Sequence, residues 1–361
     1  MVESVYIHIP FCKSKCKYCS FYSITQVEET DIYVNALLKE INHYYNKEPL
    51  KTLYFGGGTP SLLSTELISK ILNRFNVLPS TEITFEINPD DANSNYLKEL
   101  FSLGINRLSF GTQSFDDKIL EYIGRRHNFH DVLTAIKNAK NSGFENISLD
   151  LIYGLPFQTM NTLQNDLNMA ASLDIKHIST YGLKIEQPSY FYKNPPESLP
   201  DDDLQADMYL GVNEFLEQKG FHRYEISNFA KPGFESIHNL NYWNNAEYYG
   251  FGASAHGYKN GIRYSNPSDI KKYLEKPISH ENEHIVSQKE QLEEEIFLGL
   301  RREIGINTKE INQKFNIDFD TKYSEILKKY IPQYIIPTTN GYKFTLDGVL
   351  LSNNILAEFI D

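Results

Sequence analysis

The sequence predicts an α/β protein: a parallel sheet built from strand–helix units, followed by a helical C-terminal part. Three observations predict it. Strand-like and helix-periodic segments alternate through the first half at roughly 25–35 residues per unit. Glycine-rich or polar runs fall just after the strand segments, at 10–23, 56–60, 88–90, 111–114 and 153–156. After residue 184 the alternation stops, and Pro188, Pro195, Pro196 and Pro200 mark an irregular connection.

The elements follow in order. A β-rich run at 5–9 precedes a helically spaced segment at 32–45. A strand at 52–55 ends in Gly56-Gly57-Gly58, and 67–75 is helical. Residues 82–87 alternate polar and apolar as a half-buried strand and end at Asn88-Pro89. A helix at 96–103 stops at Gly104, and 107–110 is a strand. A helix at 129–141 stops near Gly143, where a glycine ends helices readily. The apolar strand 146–152 runs into Tyr153-Gly154-Leu155-Pro156. The helix 159–173 carries Leu163, Leu167 and Ala170 on one face, and 177–183 is a sixth strand. Strand–helix repetition implies parallel strands with right-handed crossovers. Pattern alone leaves a barrel and a doubly wound sheet both open. In a barrel, the loops after the strands would converge on one mouth.

Beyond residue 190 the chain reads as two further parts. The first, 191–286, has one helix, with Leu204, Met208, Val212 and Phe215 on a face, then a Gly-, Asn-, Tyr- and His-rich stretch without a period. The second, 287–361, has helices at 291–302, 308–315 and 323–330, a strand pair at 334–336 and 342–345 around Asn340-Gly341, and a last helix at 349–359. That order is a winged-helix pattern. Its 9 Lys/Arg against 12 Asp/Glu favour a packing or protein-contact role over DNA binding.

The 361 residues carry 35 Lys/Arg and 47 Asp/Glu, a formal charge of −12. That sign argues against nucleic acid as principal partner. The first residues have no basic n-region and no apolar h-region, and no run approaches 18 apolar residues. A cytoplasmic protein without a transmembrane segment is expected, and any membrane contact would be transient.

All three cysteines, Cys12, Cys16 and Cys19, lie within eight residues. Small buried hydrophobes would not cluster so. A structural zinc site needs four ligands, and the fourth would have to be His8, which must turn round from its strand to meet the loop. Three thiolates instead suit a [4Fe–4S] cluster with one iron left open, since such clusters otherwise take four cysteines. Cys-x3-Cys-x2-Cys after a first strand, with the aromatic Tyr18 before the last cysteine, resembles the radical SAM superfamily. There S-adenosylmethionine chelates the open iron, and reductive cleavage of its sulfonium is the chemistry implied.

The other loops are weaker singly. Gly56-Gly57-Gly58-Thr59-Pro60 would let backbone amides approach a polar ligand, or would simply make a tight turn. Glu86, Gln113, Arg125 and Asp150 would each pass for ordinary polar residues, and His127 for a surface histidine. Together YIHIPFCKSKCKYCSF, YFGGGTPSLL, FEINPD, RLSFGTQSF, GRRH and DLIYGLPFQT resemble the group of anaerobic coproporphyrinogen III dehydrogenase (HemN) and the haem chaperone HemW, over the first 190 residues. The resemblance implies a partial parallel (β/α)6 barrel. It implies Cys12, Cys16 and Cys19 as iron ligands. It places Tyr6, Tyr18, Gly57, Gly58, Thr59 and Glu86 around S-adenosylmethionine, and Gln113, Arg125 and Asp150 near a second molecule of it. The dehydrogenases carry a fourth cysteine where this chain has Phe21, and a longer segment before the cluster. Both departures point to the chaperone branch.

His238-Asn239-Leu240-Asn241-Tyr242-Trp243 resembles that branch's H-N-x-x-Y-W motif and holds the only Trp. The resemblance implies His238 as a haem ligand, with His222 and His256 as competitors; the alternative is an aromatic core turn. The implied partners are haem, respiratory haem apoproteins and a flavodoxin- or ferredoxin-like electron donor. Lys13, Lys15 and Lys17 would form the donor's docking patch, unless they are only a solvated loop. Decarboxylation of coproporphyrinogen III is the alternative activity, and an RNA-modifying role is disfavoured by charge.

Overall fold

In the computed structural model, which describes residues 1–360, the six expected strands form one sheet as β1 (Ser4–Ile9), β2 (Pro49–Gly57), β3 (Asn76–Ile87), β4 (Arg107–Gln113), β5 (Asn146–Tyr153) and β6 (His177–Gly182). Each pairs in parallel with the next. Helices Thr30–Tyr44, Thr65–Leu72, Ser94–Ser102, Phe129–Asn141 and Met160–Ser172 make the crossovers. This is the partial (β/α)6 barrel.

Strand alternation sorts the side chains. Val5, Ile7, Leu53, Phe55, Phe85, Leu108, Phe110 and Leu149 pack outward in the main core with Leu37, Ile68, Leu97, Val132 and Leu163 of the helices. Tyr6, His8, Tyr54, Thr84, Glu86, Arg107, Ser109 and Asp150 lie on the other face, in rows set by the register Tyr6↔Tyr54↔Thr84↔Arg107. The lumen is therefore polar.

Residues 191–286 extend the barrel sheet. They supply β7 (His222–Arg223), β8 (Asn228–Ala230) and β9 (Tyr249–Phe251), and the nine-stranded order is β7-β8-β6-β5-β4-β3-β2-β1-β9. β8 runs antiparallel on β6, and β9 parallel on β1, so both barrel edges are covered. The helix Ile237–Trp243 closes the lumen below. The Glu82 carboxylate accepts from the backbone amides of Ile237 (3.1 Å) and His238 (3.0 Å). β10 (His256–Lys259), β11 (Ile262–Ser265) and β12 (Glu281–Ile285) form a small antiparallel sheet.

The C-terminal part has the expected wing. β13 (Ile306–Asn307), β14 (Ile335–Pro337) and β15 (Gly341–Phe344) pair in the order β13-β15-β14. They share a second core with Ile296, Leu300, Phe315 and Phe319, which also takes Tyr209 from the helix Asp202–Gln218. Among the described residues no helix is long and apolar enough to cross a membrane.

Candidate functional site

The loops that follow the strands converge on one cavity of about 800 Å³. Cys12, Cys16, Cys19 and Tyr18 line it from the loop after β1. Gly57, Gly58 and Thr59 come from the end of β2, Glu86 from β3, Gln113 from β4 and Asp150 from β5. Arg125 enters after the short helix Asp117–Tyr122, which the sequence pattern missed.

The loop is held against the glycines by contact. A Cβ on Gly58 would meet the carbonyl oxygens of Phe11 at 2.6 Å and Ile9 at 2.9 Å, both backbone atoms. Gly57 has φ +110°, and a Cβ there would strike the His8 ring at 2.6 Å. Its amide donates to Glu86 Oε2 (3.1 Å), and Tyr54 donates to Glu86 Oε1 (2.7 Å). Burial, with Asp150 nearby, still pushes the Glu86 carboxyl up to about 7.

Donors face the sulfurs. Thr59 Oγ1 lies 3.6 Å from Cys12 Sγ, and Arg125 Nη1 lies 3.5 Å from Cys16 Sγ. Arg125 Nη2 also donates to Asn88 Oδ1 (2.6 Å) and to the Gly111 carbonyl. Burial pushes the free Cys19 thiol up to about 11, so the neutral thiol is favoured until a cation compensates it. Ser109 donates to Asp150 at 3.1 Å, and burial raises that carboxyl too. Gln113 sits at a bulge with φ 68°, a strained backbone that turns its side chain to the cavity. His127 shares the wall as a neutral imidazole: burial holds it down to about 3, and Nε2 donates to the Thr112 carbonyl.

His8 is not free for zinc. Its Nε2 donates to the Tyr22 carbonyl (3.0 Å), and its Nδ1 accepts from Tyr6 (3.0 Å). Among the described residues no three His, Cys, Asp or Glu side chains converge as a single-ion site needs. Three cysteines on the cavity wall, with donors for their charge, suit the three-thiolate cluster.

Two expected residues are not brought to the wall. Tyr6 lies in the lumen beneath the cavity, its ring 6.0 Å from that of Tyr54. His238 lies farther from it, inside the barrel floor. It is 1% exposed, with Nδ1 2.8 Å from Thr52 Oγ1 and Nε2 2.9 Å from Tyr242 Oη, and it stacks on Tyr54 at 4.9 Å. Burial holds it neutral, down to about 3. An iron ligand needs a free nitrogen facing open space, and in this structure His238 has neither. Trp243, one residue past that face, does line the cavity. His222 and His256 are exposed away from it.

The three lysines of the loop differ in their surroundings. Lys13 pairs with Asp91 (2.6 Å), and Lys17 sits over the Tyr122 ring at 4.9 Å. No sequence pattern marks the cavity's far wall: Tyr181, Tyr209, Arg301, Val349 and Leu350 reach it only through tertiary packing. Phe21, 67% exposed, stands at its rim.

Comparisons with known proteins agree with this architecture. A sequence model of the radical SAM superfamily matches residues 6–170, and one of the HemN C-terminal domain matches 286–349. "Heme chaperone HemW" of Bacillus subtilis is 42% identical, with 99% of each chain covered. "Heme chaperone HemW" of Escherichia coli is 39% identical over 70% of this chain and 69% of its own. Among solved structures, coproporphyrinogen III oxidase (HemN) from Escherichia coli superposes with TM-score 0.87 at 24% identity, over 99% of this chain and 89% of that one.

Proposed function

The chain belongs to the radical SAM superfamily, in the group of HemN and HemW, and from that premise we propose that it is a haem chaperone that binds haem and delivers it to respiratory haem proteins. The cavity carries this reading. At about 800 Å³ it lies toward the upper end of the ~300–1,000 Å³ of small-molecule sites. One side is lined by sulfurs and polar loops, the other by Trp243, Tyr181, Tyr209, Val349 and Leu350. A nucleoside cofactor suits the first, and a flat apolar ring suits the second.

On this reading Cys12, Cys16 and Cys19 hold the cluster, whose bound form supplies electron transfer to S-adenosylmethionine. Thr59 and Arg125 direct donors at the thiolates and so favour the deprotonated, ligating form. Gly57, Gly58 and Glu86 orient the cofactor's polar groups, and Tyr18 closes the wall beside Cys19. Gln113, Arg125 and Asp150 present a second polar group of the same kind. An acidic flavodoxin- or ferredoxin-like donor would approach the loop past Lys15.

Oxidative decarboxylation of coproporphyrinogen III is the second reading, favoured by the likeness to HemN. Phe21, in place of a cysteine, speaks against it. The test is to titrate the anaerobic protein with haem and, separately, with coproporphyrinogen III, reductant and S-adenosylmethionine. A Soret band with saturable affinity and no divinyl product is expected. Protoporphyrinogen accumulating over many turnovers would establish the second reading instead.

A further inference from the structure

The C-terminal part closes the cavity with a cation that has no counterion. Arg301 ends the helix Gln288–Leu300 and lines the cavity beside Leu350. Its Nη2 donates to Asn353 Oδ1 (2.7 Å), while its Nε is shut off from solvent with no hydrogen-bond partner. Burial alone acts on its proton affinity, and lowers it. The neighbouring Arg302 differs: it reaches Asn244 and the Gly305 carbonyl, and feels Glu295 and Glu310. Lys184, just past β6, lines the same cavity, and among the described residues no ion pair joins it or Arg301 to the acids of the wall, Glu86, Asp90, Asp150 and Glu186. A half-buried guanidinium without a carboxylate costs free energy, and the cost falls when an anion arrives.

We propose that Arg301, with Lys184, receives carboxylates of the flat apolar ligand that lies against Trp243 and Leu350, so that the ligand bridges the barrel and the C-terminal part. This rests on the haem reading, in which the carboxylates are the haem propionates. Charge-assisted hydrogen bonds orient the ring, while burial of its faces supplies most of the affinity. The C-terminal part then completes the ligand site as well as packing on the barrel.

The test compares haem with haem dimethyl ester, in which the carboxylates are masked, by Soret titration of the full chain. Wild type should bind haem at least tenfold more tightly than the ester. Arg301→Gln should weaken haem binding about tenfold and leave ester binding unchanged, with Lys184→Gln giving a smaller loss. Arg301→Lys should restore part of it. Equal affinity of wild type for haem and ester overturns the proposal even if the Arg301 variants do not fold, and so does an Arg301→Gln variant that binds haem as wild type does. If wild type binds neither porphyrin, the haem reading itself falls.

Discussion

The loop at 10–23 and the helix Ile237–Trp243 both carry motifs that the sequence marks strongly, yet they meet the cavity in opposite ways. In the loop, all three cysteines and Tyr18 face the open space. In the helix, His238 and Tyr242 turn down into the barrel floor, and only Trp243 faces the cavity. Loop residues project according to a backbone fixed by its neighbours: Gly58 pressed on Phe11, and the Cys12 amide bonded to Ile24. Helix residues project according to a period, and positions four apart share a face. The histidine and tyrosine of this motif therefore pair with each other and close a core. A motif's chemistry follows the face it sits on as much as its letters.

Three experiments break or sharpen that contrast. The largest effect belongs to the loop. Cys12→Ser, Cys16→Ser or Cys19→Ser should each take anaerobically reconstituted protein from about four iron and four sulfide per chain to near none. A variant that keeps its full iron would remove that cysteine from the ligand set. Next comes the helix. His238→Ala should cost about 2–4 kcal/mol in denaturant unfolding, through a lost stack and two lost hydrogen-bond partners. The Soret maximum of the folded haem complex should not move. A shifted band at unchanged stability would restore His238 as the iron ligand.

The smallest effect lies between the two, at Glu86. Its carboxyl is raised from the ordinary value of 4.5 to about 7. An acid held higher in the folded state is favoured there only while protonated. Stability of the cofactor-free chain is therefore lost as pH rises from about 4.5 through about 7, and is flat above. Glu86→Gln should track the parent near pH 4 and exceed it by on the order of 1 kcal/mol at pH 8. Parallel stability curves at all pH would show that the Gly57 amide and Tyr54 hydroxyl fully compensate the burial of Glu86.

Much of this was legible in the chain. The six strands follow from β-rich runs and alternation, as in Glu82–Ile87 with its polar positions inward, and the glycine-rich turns mark the mouth. The cysteine spacing and the Gly-Gly-Gly-Thr turn identify the near wall. The short helix Asp117–Tyr122 was missed because six residues hold under two turns of periodicity. The aperiodic stretch after 220 hid β7, β8 and β9, since strands of two or three residues carry no pattern of their own. Arg301 and Leu350 lie on opposite sides of the C-terminal wing in sequence, so nothing local places them together on the far wall. The i, i+4 spacing of His238 and Tyr242 was a readable sign that they pair.

The seam between β9 and β1 has a consequence for how the chain is born. Val5 aligns with Tyr249, and Ile7 with Phe251. The first strand leaves the ribosome early, and its outer edge waits for a partner made 244 residues later. At roughly 5–20 residues per second, that wait is on the order of tens of seconds. Throughout it the edge of β1 is uncovered, and the cysteine loop that follows β1 hangs from an unsealed strand. An uncovered strand edge is a template for wrong pairing, so the length of this interval sets how long the barrel seam is open to misassembly.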